Sequence, residues 1–228
     1  MNDLEPSNIF TKSNSRDKIT IYHGSSEIIK QPEYGKGKPY NDYGLGFYTT
    51  QNKELAGEWA VLTAGKDGFI NKYQLDTTGL EVLNLDTLDP KYWIAILMSN
   101  RRGSYENDEV YKTFDQFIGK YYFDISKYDV IIGWRADDSY FSYIEAFSIG
   151  TISLENLQKA MKLGNLGQQT CLKSKKAFTQ LHFLSNYPAP SNKFYKSAKT
   201  RDNEARRDYR NLIRYTDAKK GTRIEDLI

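Results

Sequence analysis

Between Lys18 and Tyr22, β-branched apolar residues alternate with polar ones, the period of a half-buried strand, and Gly24-Ser25-Ser26 predicts its end. Gly46-Phe-Tyr-Thr-Thr50 reads as a second short strand. Behind Asn52, a residue type suited to capping a helix start, Leu55, Trp59 and Leu62 fall at helical spacing. Alternation returns from Gly68 to Leu75, and Leu80 to Leu83 is a further short strand. Asp89-Pro90 then opens a mostly helical stretch over 90–124, with proline in the first turn. The apolar run from Tyr128 to Gly133 predicts a buried strand. Helices are predicted over Ser139–Phe147 and Ser153–Leu163, the second with Ser153 ahead of Leu154, Leu157 and Met161. Strands are expected at Gln169–Leu172 and Leu181–Leu184, flanking a turn of helix within Ser174–Thr179. Pro188 and Pro190 break the pattern before a basic tail.

The strands cluster towards both ends of the chain around a helical middle, without a regular βαβ repeat, which places the fold in the α+β class. No internal repeat is visible. Residues 1–17 are polar and aperiodic and are expected to be a flexible N-terminus. Residues 18–187 are expected to form the main domain and 188–228 a basic helical C-terminal extension.

With 228 residues, 39% hydrophobic and 27% charged, the chain can bury a core, and its 18 Tyr, 11 Phe and 3 Trp must supply much of it. No apolar stretch approaches the roughly 20 residues of a membrane helix, and the first residues carry no export signal. A soluble, cytoplasmic protein without a membrane partner is therefore expected. The single Cys171 forms no intramolecular disulfide, and His23 and His182 lie too far apart for a local metal motif, so no metal is expected. The net charge of +3 is unevenly spread: residues 193–223 hold 11 Lys/Arg against 4 acids. Such a run is more often a solvated helix face, which the interleaving of Arg206 and Arg207 with Asp202, Glu204 and Asp208 fits, and contact with nucleic-acid phosphates is the second reading.

The common nucleotide and hydrolase signatures are absent, and Gly44-Leu45-Gly46 lacks the third glycine of a dinucleotide fingerprint. A dispersed set remains: Tyr22-His23-Gly24-Ser25, then Asp42-Tyr43-Gly44-Leu45-Gly46-Phe47-Tyr48, then Trp59. A histidine at a strand end followed by glycine lets a ligand approach the backbone while the imidazole hydrogen-bonds to it, though the same pair can simply end a strand. Phe47 and Tyr48 point to opposite strand faces, one into the core and one towards a cleft.

In this order, His23-Gly24-Ser25, Asp42 to Thr50 and Trp59 resemble the NAD-binding core of the His-Tyr-Glu branch of ADP-ribosyltransferases, which includes the poly(ADP-ribose) polymerases and diphtheria toxin. With Ala136-Asp137-Asp138 and Gln168-Gln169-Thr-Cys-Leu-Lys-Ser174, they are similar in particular to a bacterial family of uncharacterised ADP-ribosyltransferase-like proteins, often encoded in toxin–antitoxin or phage-defence cassettes. The resemblance covers about residues 18–185. It implies a split β-sheet core, NAD as substrate, and transfer of ADP-ribose to a protein or nucleic-acid acceptor, with an antitoxin as partner.

By the same resemblance, His23 holds the ribose hydroxyl of the nicotinamide half and Gly24 binds the carboxamide through its backbone. Ser25, Gly46 and Phe47 complete the NAD-binding segments. Tyr48 packs on the nicotinamide, with Trp59 for its opposite face or, equally, as a core residue of its helix. Flat cations bind well to such aromatic faces. The third motif position carries Gln168 or Gln169, with Gln169 favoured as deeper in the strand, where the branch has glutamate. That departure points to mono-ADP-ribosylation rather than chain extension, and it removes a carboxylate that would stabilise oxocarbenium character. Asp137-Asp138 supply charge near the site, Asp138 orienting the acceptor, or cap a helix start. Arg135 is open to an NAD phosphate or to a salt bridge.

Overall fold

The computed structural model describes residues 17–101, 108–136, 141–163, 167–215 and 220–228. These form a mixed α+β architecture of two sheets and seven helices, the class that the strand and helix pattern predicts. The first sheet is antiparallel, with β1 (Lys18–Ser25) and, further along the chain, β7 (Leu181–Ala189) flanking β3 (Gly68–Asp76). The second runs in the order β2 (Phe47–Thr49), β6 (Gln168–Leu172), β5 (Val130–Trp134) and β4 (Val82–Asn84); only β4 and β5 are parallel.

Among the described residues one isolated bridge joins the backbones of the two sheets. Tyr22 donates its N–H to the Thr50 carbonyl (2.7 Å), and the Thr50 N–H returns to the Tyr22 carbonyl (2.9 Å). Among the described residues the pairing of β1 with the β2 segment stops there. Tyr22 uses the edge of β1 facing away from β3, and backbone groups alternate edges along a strand, so the N–H and C=O of Gly24 lie on that same edge.

Helix α1 (Lys53–Ala60) starts where the sequence places it: Asn52 Oδ1 accepts from the N–H groups of Glu54 (2.9 Å) and Leu55 (3.2 Å). It lies so close to β1 that a Cβ on Gly24 would overlap the Ala56 carbonyl oxygen. Helices α2 (Pro90–Asn100), α3 (Asp108–Tyr121), α4 (Phe141–Ser148) and α5 (Leu154–Ala160) cover the second sheet. The main core fills the space between, with Ile94, Leu97, Phe114, Phe117, Ile131 and Phe147 fully buried. A short helix, α6 (Lys175–Thr179), precedes β7, and α7 (Ser191–Tyr215) carries the basic tail.

Several expectations shift. Strand β1 runs through Gly24 to Ser25, because β3 pairs with it as far as Ser25 opposite Phe69. Strand β7 continues past residue 184 to Ala189, including Pro188; as the outer strand of its sheet it tolerates a residue without an N–H. Leu62 is not a core residue: α1 ends at Ala60, helical spacing is lost, and Leu62 is 86% exposed.

The basic tail packs along α1. Phe194 is buried against Gly57, and Glu58 receives Arg201 Nη2 at 2.8 Å and Ser197 Oγ at 2.8 Å. Tyr209 stacks on Tyr143 at 3.7 Å, and Ile224 and Leu227 return to the main core. Arg206 pairs with Asp202 at 3.1 Å on an exposed face, as in the solvated-helix reading. No helix among the described residues is long and apolar enough to cross a membrane.

Candidate functional site

Where β1 and β2 part, the molecule opens a cleft of about 810 Å³, within the size range of small-molecule and cofactor sites. Its walls include His23 and Gly24 from β1, Gly46, Phe47 and Tyr48 from the β2 segment, Trp59 from α1, and Gln169 from β6. One long loop over residues 27–42 closes one side and brings Lys30, Lys36 and Lys38 to it. Arg101 at the end of α2 and Arg135 after β5 complete the basic lining.

His23 has a defined protonation state. Its Nδ1 lies 2.7 Å from the Tyr48 carbonyl, which can only accept, so Nδ1 carries the proton. Burial pushes its pKa below the usual imidazole value, against the Tyr48 carbonyl, which raises it. A neutral ring protonated at Nδ1 leaves Nε2 as a hydrogen-bond acceptor, suited to a sugar hydroxyl. Gly24 follows, with its N–H and C=O on the edge of β1 that bridges to Thr50 at Tyr22 and, among the described residues, pairs with no strand beyond it. Its lack of a side chain serves the packing of α1 rather than ligand approach.

Phe47 faces the smaller sheet's core, at 4.5 Å from the His23 ring and 5.7 Å from Tyr73 between ring centroids. Tyr48 points the other way, as the strand period requires. Its hydroxyl donates to the Gly44 carbonyl (2.6 Å) and accepts from the Tyr43 N–H (3.0 Å), so the ring is held while part of it remains in the cleft. Burial raises its pKa well beyond the ordinary phenol value, and the hydroxyl stays protonated. Trp59 is half-buried, and the Arg135 guanidinium lies over its ring at 4.9 Å from the centroid. That contact supports a role for both residues in the cleft more than a purely core role for Trp59.

The two glutamines separate. Gln169 pairs with Gly133 across β5, on the same strand face as Cys171 and hence as Tyr48, and is 3% exposed. Gln168 is exposed on the opposite face, where its amide donates to Asp86. Only Gln169 lines the cleft.

Asp42, which the sequence reading passed over as a charge, is 3% exposed at the cleft floor. Its Oδ2 accepts from Gln169 Nε2 (2.6 Å) and from the Ala136 N–H (2.9 Å), and its Oδ1 meets Arg101 Nη2 at 2.8 Å. Burial pushes the Asp42 pKa up, while the Arg101 charge, the Ala136 amide and the Gln169 amide pull it back. The loop carrying it is fixed by Asn100, whose Nδ2 donates to the Asp42 carbonyl (3.1 Å), and by Lys173, which donates to the Tyr43 carbonyl. Only a count of buried acids against their long-range partners would have found Asp42.

Ser25 is not brought to the cleft: its hydroxyl donates to the Glu27 carbonyl in the turn after β1 and accepts from Asn71 Nδ2 of β3 (3.1 Å). Asp137 and Asp138 lie outside the described residues. Among the described residues no group of His, Cys, Asp and Glu could hold a metal ion. Cys171 is buried and its thiol is pushed up to about 12, so it is no nucleophile.

Neither the curated proteins nor the solved structures contain a match to this sequence. A family model described as protein of unknown function (DUF3990) matches residues 19–183, the span that runs from β1 through the cleft residues into β7. With more than half of its length, and every described cleft residue named above, inside that match, the chain belongs to the DUF3990 family.

Proposed function

We propose that the cleft binds NAD and that the protein is a mono-ADP-ribosyltransferase with an ADP-ribosyltransferase-like split sheet. The observation that carries this reading is the convergence of His23, Gly24, Tyr48, Trp59 and Gln169 on one cleft where two strands part. The neutral His23 accepts from a ribose hydroxyl, and the backbone N–H and C=O of Gly24, on the edge of β1 beyond the Tyr22 bridge, suit a carboxamide, which both donates and accepts. Tyr48 and Trp59 supply aromatic faces for the pyridinium, each worth about 0.5–2 kcal/mol. Lys38 and Arg135, both in the cleft wall, supply charge that suits the diphosphate.

In the reaction, the bond between ribose C1′ and the nicotinamide nitrogen breaks and its electron pair returns to the ring, discharging the pyridinium. The acceptor nucleophile bonds to C1′ and gives up its proton, and neutral nicotinamide leaves. From the resemblance, the biological role is that of a cytoplasmic toxin in a toxin–antitoxin or defence cassette, with a protein or nucleic-acid acceptor and a cognate antitoxin.

A second reading, an NAD-binding or partner-binding module without chemistry, is favoured by one feature: position 169 offers an amide and no charge. The test is NAD labelled on its adenylate phosphate, incubated with protein and cell extract. Transfer of label to macromolecules that Tyr48→Ala abolishes supports the transferase. Binding of NAD without transfer in any extract favours the module, and absence of binding refutes the transferase and leaves only the partner-binding form of the module.

A further inference from the structure

The third motif position holds an amide, yet a carboxylate stands one hydrogen bond behind it. We propose that Asp42 is the positioning residue of this site: it fixes the Gln169 amide with its oxygen towards the ligand and lends it the negative charge that position 169 lacks. This inference rests on the NAD-cleaving reading above.

The geometry carries it. Gln169 Nε2 donates to Asp42 Oδ2 at 2.6 Å and lies 3.4 Å from the Trp134 carbonyl, so both acceptors claim the same nitrogen. An amide held by its NH₂ group presents its oxygen, Oε1, to whatever enters the cleft. A neutral acceptor such as asparagine would not impose that orientation, because its own side chain can either donate or accept. The carboxylate also polarises the amide it binds, raising the negative character of Oε1, an effect that low dielectric strengthens.

Arg101 offsets part of the charge but does not displace the amide, because it sits on the other carboxylate oxygen at 2.8 Å and leaves Oδ2 to Gln169 and the Ala136 N–H. Asp42 is thus divided between a cation on Oδ1 and Gln169 with the Ala136 N–H on Oδ2. Its site is built from four separate segments of chain, the loop before β2, the end of α2, the segment after β5, and β6. Residues remote in sequence converge on one buried acid, an expensive arrangement to assemble merely to close a loop.

As positive charge moves from the pyridinium onto the ribose, an oriented and polarised Oε1 stabilises the developing oxocarbenium. Removing a preorganised electrostatic group that acts directly typically costs about 100- to 1,000-fold in rate. Acting through an intervening amide, Asp42 is expected to contribute about 10- to 100-fold to kcat, with a smaller effect on KM.

The test is a charge exchange. Nicotinamide release from NAD is measured for wild type, Asp42→Asn, Gln169→Glu and the double variant Asp42→Asn with Gln169→Glu, with cell extract as acceptor and urea unfolding of each. Asp42→Asn is expected to lower kcat about 10- to 100-fold while KM changes less. The double variant returns a carboxylate to the pair and is expected to recover at least tenfold over Asp42→Asn. A folded Asp42→Asn variant with wild-type kcat overturns the inference and leaves the transferase reading standing. An inactive double variant that is folded and binds NAD also overturns it, reducing Asp42 to a structural role. Absence of nicotinamide release by the wild type removes the transferase reading itself, and this inference with it.

Discussion

Replacing Gln169 by glutamate sets a second carboxylate against Asp42, and the cost can be worked from the structure without reference to any ligand. The amide nitrogen lies 2.6 Å from Asp42 Oδ2, so the new acid would meet the old one at hydrogen-bond distance inside a buried site. Two unit charges about 3 Å apart repel by about 5 kcal/mol at an effective dielectric of about 20. That repulsion equals roughly 4 pKa units. Arg101 and Arg135 are the nearby cations that oppose it, and Tyr43, Tyr48 and Cys171 face the pair with pKa values raised by burial, so they stay neutral.

The folded variant therefore keeps one proton on the pair where the unfolded chain has none. The native state binds more protons, and stability falls as pH rises above the unfolded carboxylate values, by up to about 1.4 kcal/mol per pH unit. Asp42 already has a raised pKa in the wild type, so the effect of the substitution is read as the change in pH dependence relative to wild type. Urea unfolding of wild type, Gln169→Glu and Gln169→Ala at pH 5 and pH 7.5 reads this out. The penalty of Gln169→Glu should grow by about 2–3 kcal/mol between the two, and that of Gln169→Ala by less, since alanine removes the amide that lowers the Asp42 pKa without adding a second charge. A pH-independent penalty for Gln169→Glu would refute the coupling of the two side chains.

Further expectations concern the frame of the cleft. Gly24→Ala should destabilise the protein by about 3 kcal/mol or more in denaturant melts, because its Cβ meets backbone of α1 that cannot move aside alone. Arg201→Ala leaves Glu58 without its guanidinium partner and should cost about 3 kcal/mol in the same assay; an unchanged midpoint would show that the tail does not hold α1. Gly57→Ala would drive a methyl group into the Phe194 ring and should raise amide exchange across the first turns of α7 more than in the main core. His23 has a lowered pKa, so the unfolded chain takes up its proton first, and wild type should lose stability as pH falls below about 6.5. Thermal midpoints at pH 7.5 and 5 should show a smaller acid loss in His23→Gln than in wild type.

Much of the frame was legible in the sequence because its signals are local. Asn52, Asp89 and Ser153 each cap the helix they precede, and the alternation from Gly68 to Leu75 becomes the central strand of the first sheet. The ends of β1 and β7 were not legible, since both are extended by pairing with β3, and a strand's partner is not written in its own residues. Leu62 kept the helical period but lay beyond the last turn. The choice between Gln168 and Gln169 needed the face of β6, which the period alone gives only once the register with β2 is known. Asp42 was hidden for a related reason. Its partners Ala136 and Gln169 stand 94 and 127 residues away, so its isolation from water appears only when four segments meet.

The central claim is that this cleft cleaves NAD, and proton NMR of NAD mixed with the purified chain and cell extract follows it directly through the nicotinamide ring resonances. Free nicotinamide should accumulate with wild type and not with Tyr48→Ala, whose aromatic face is gone. NAD that stays intact with wild type in every extract, while still binding to the cleft, would contradict the claim.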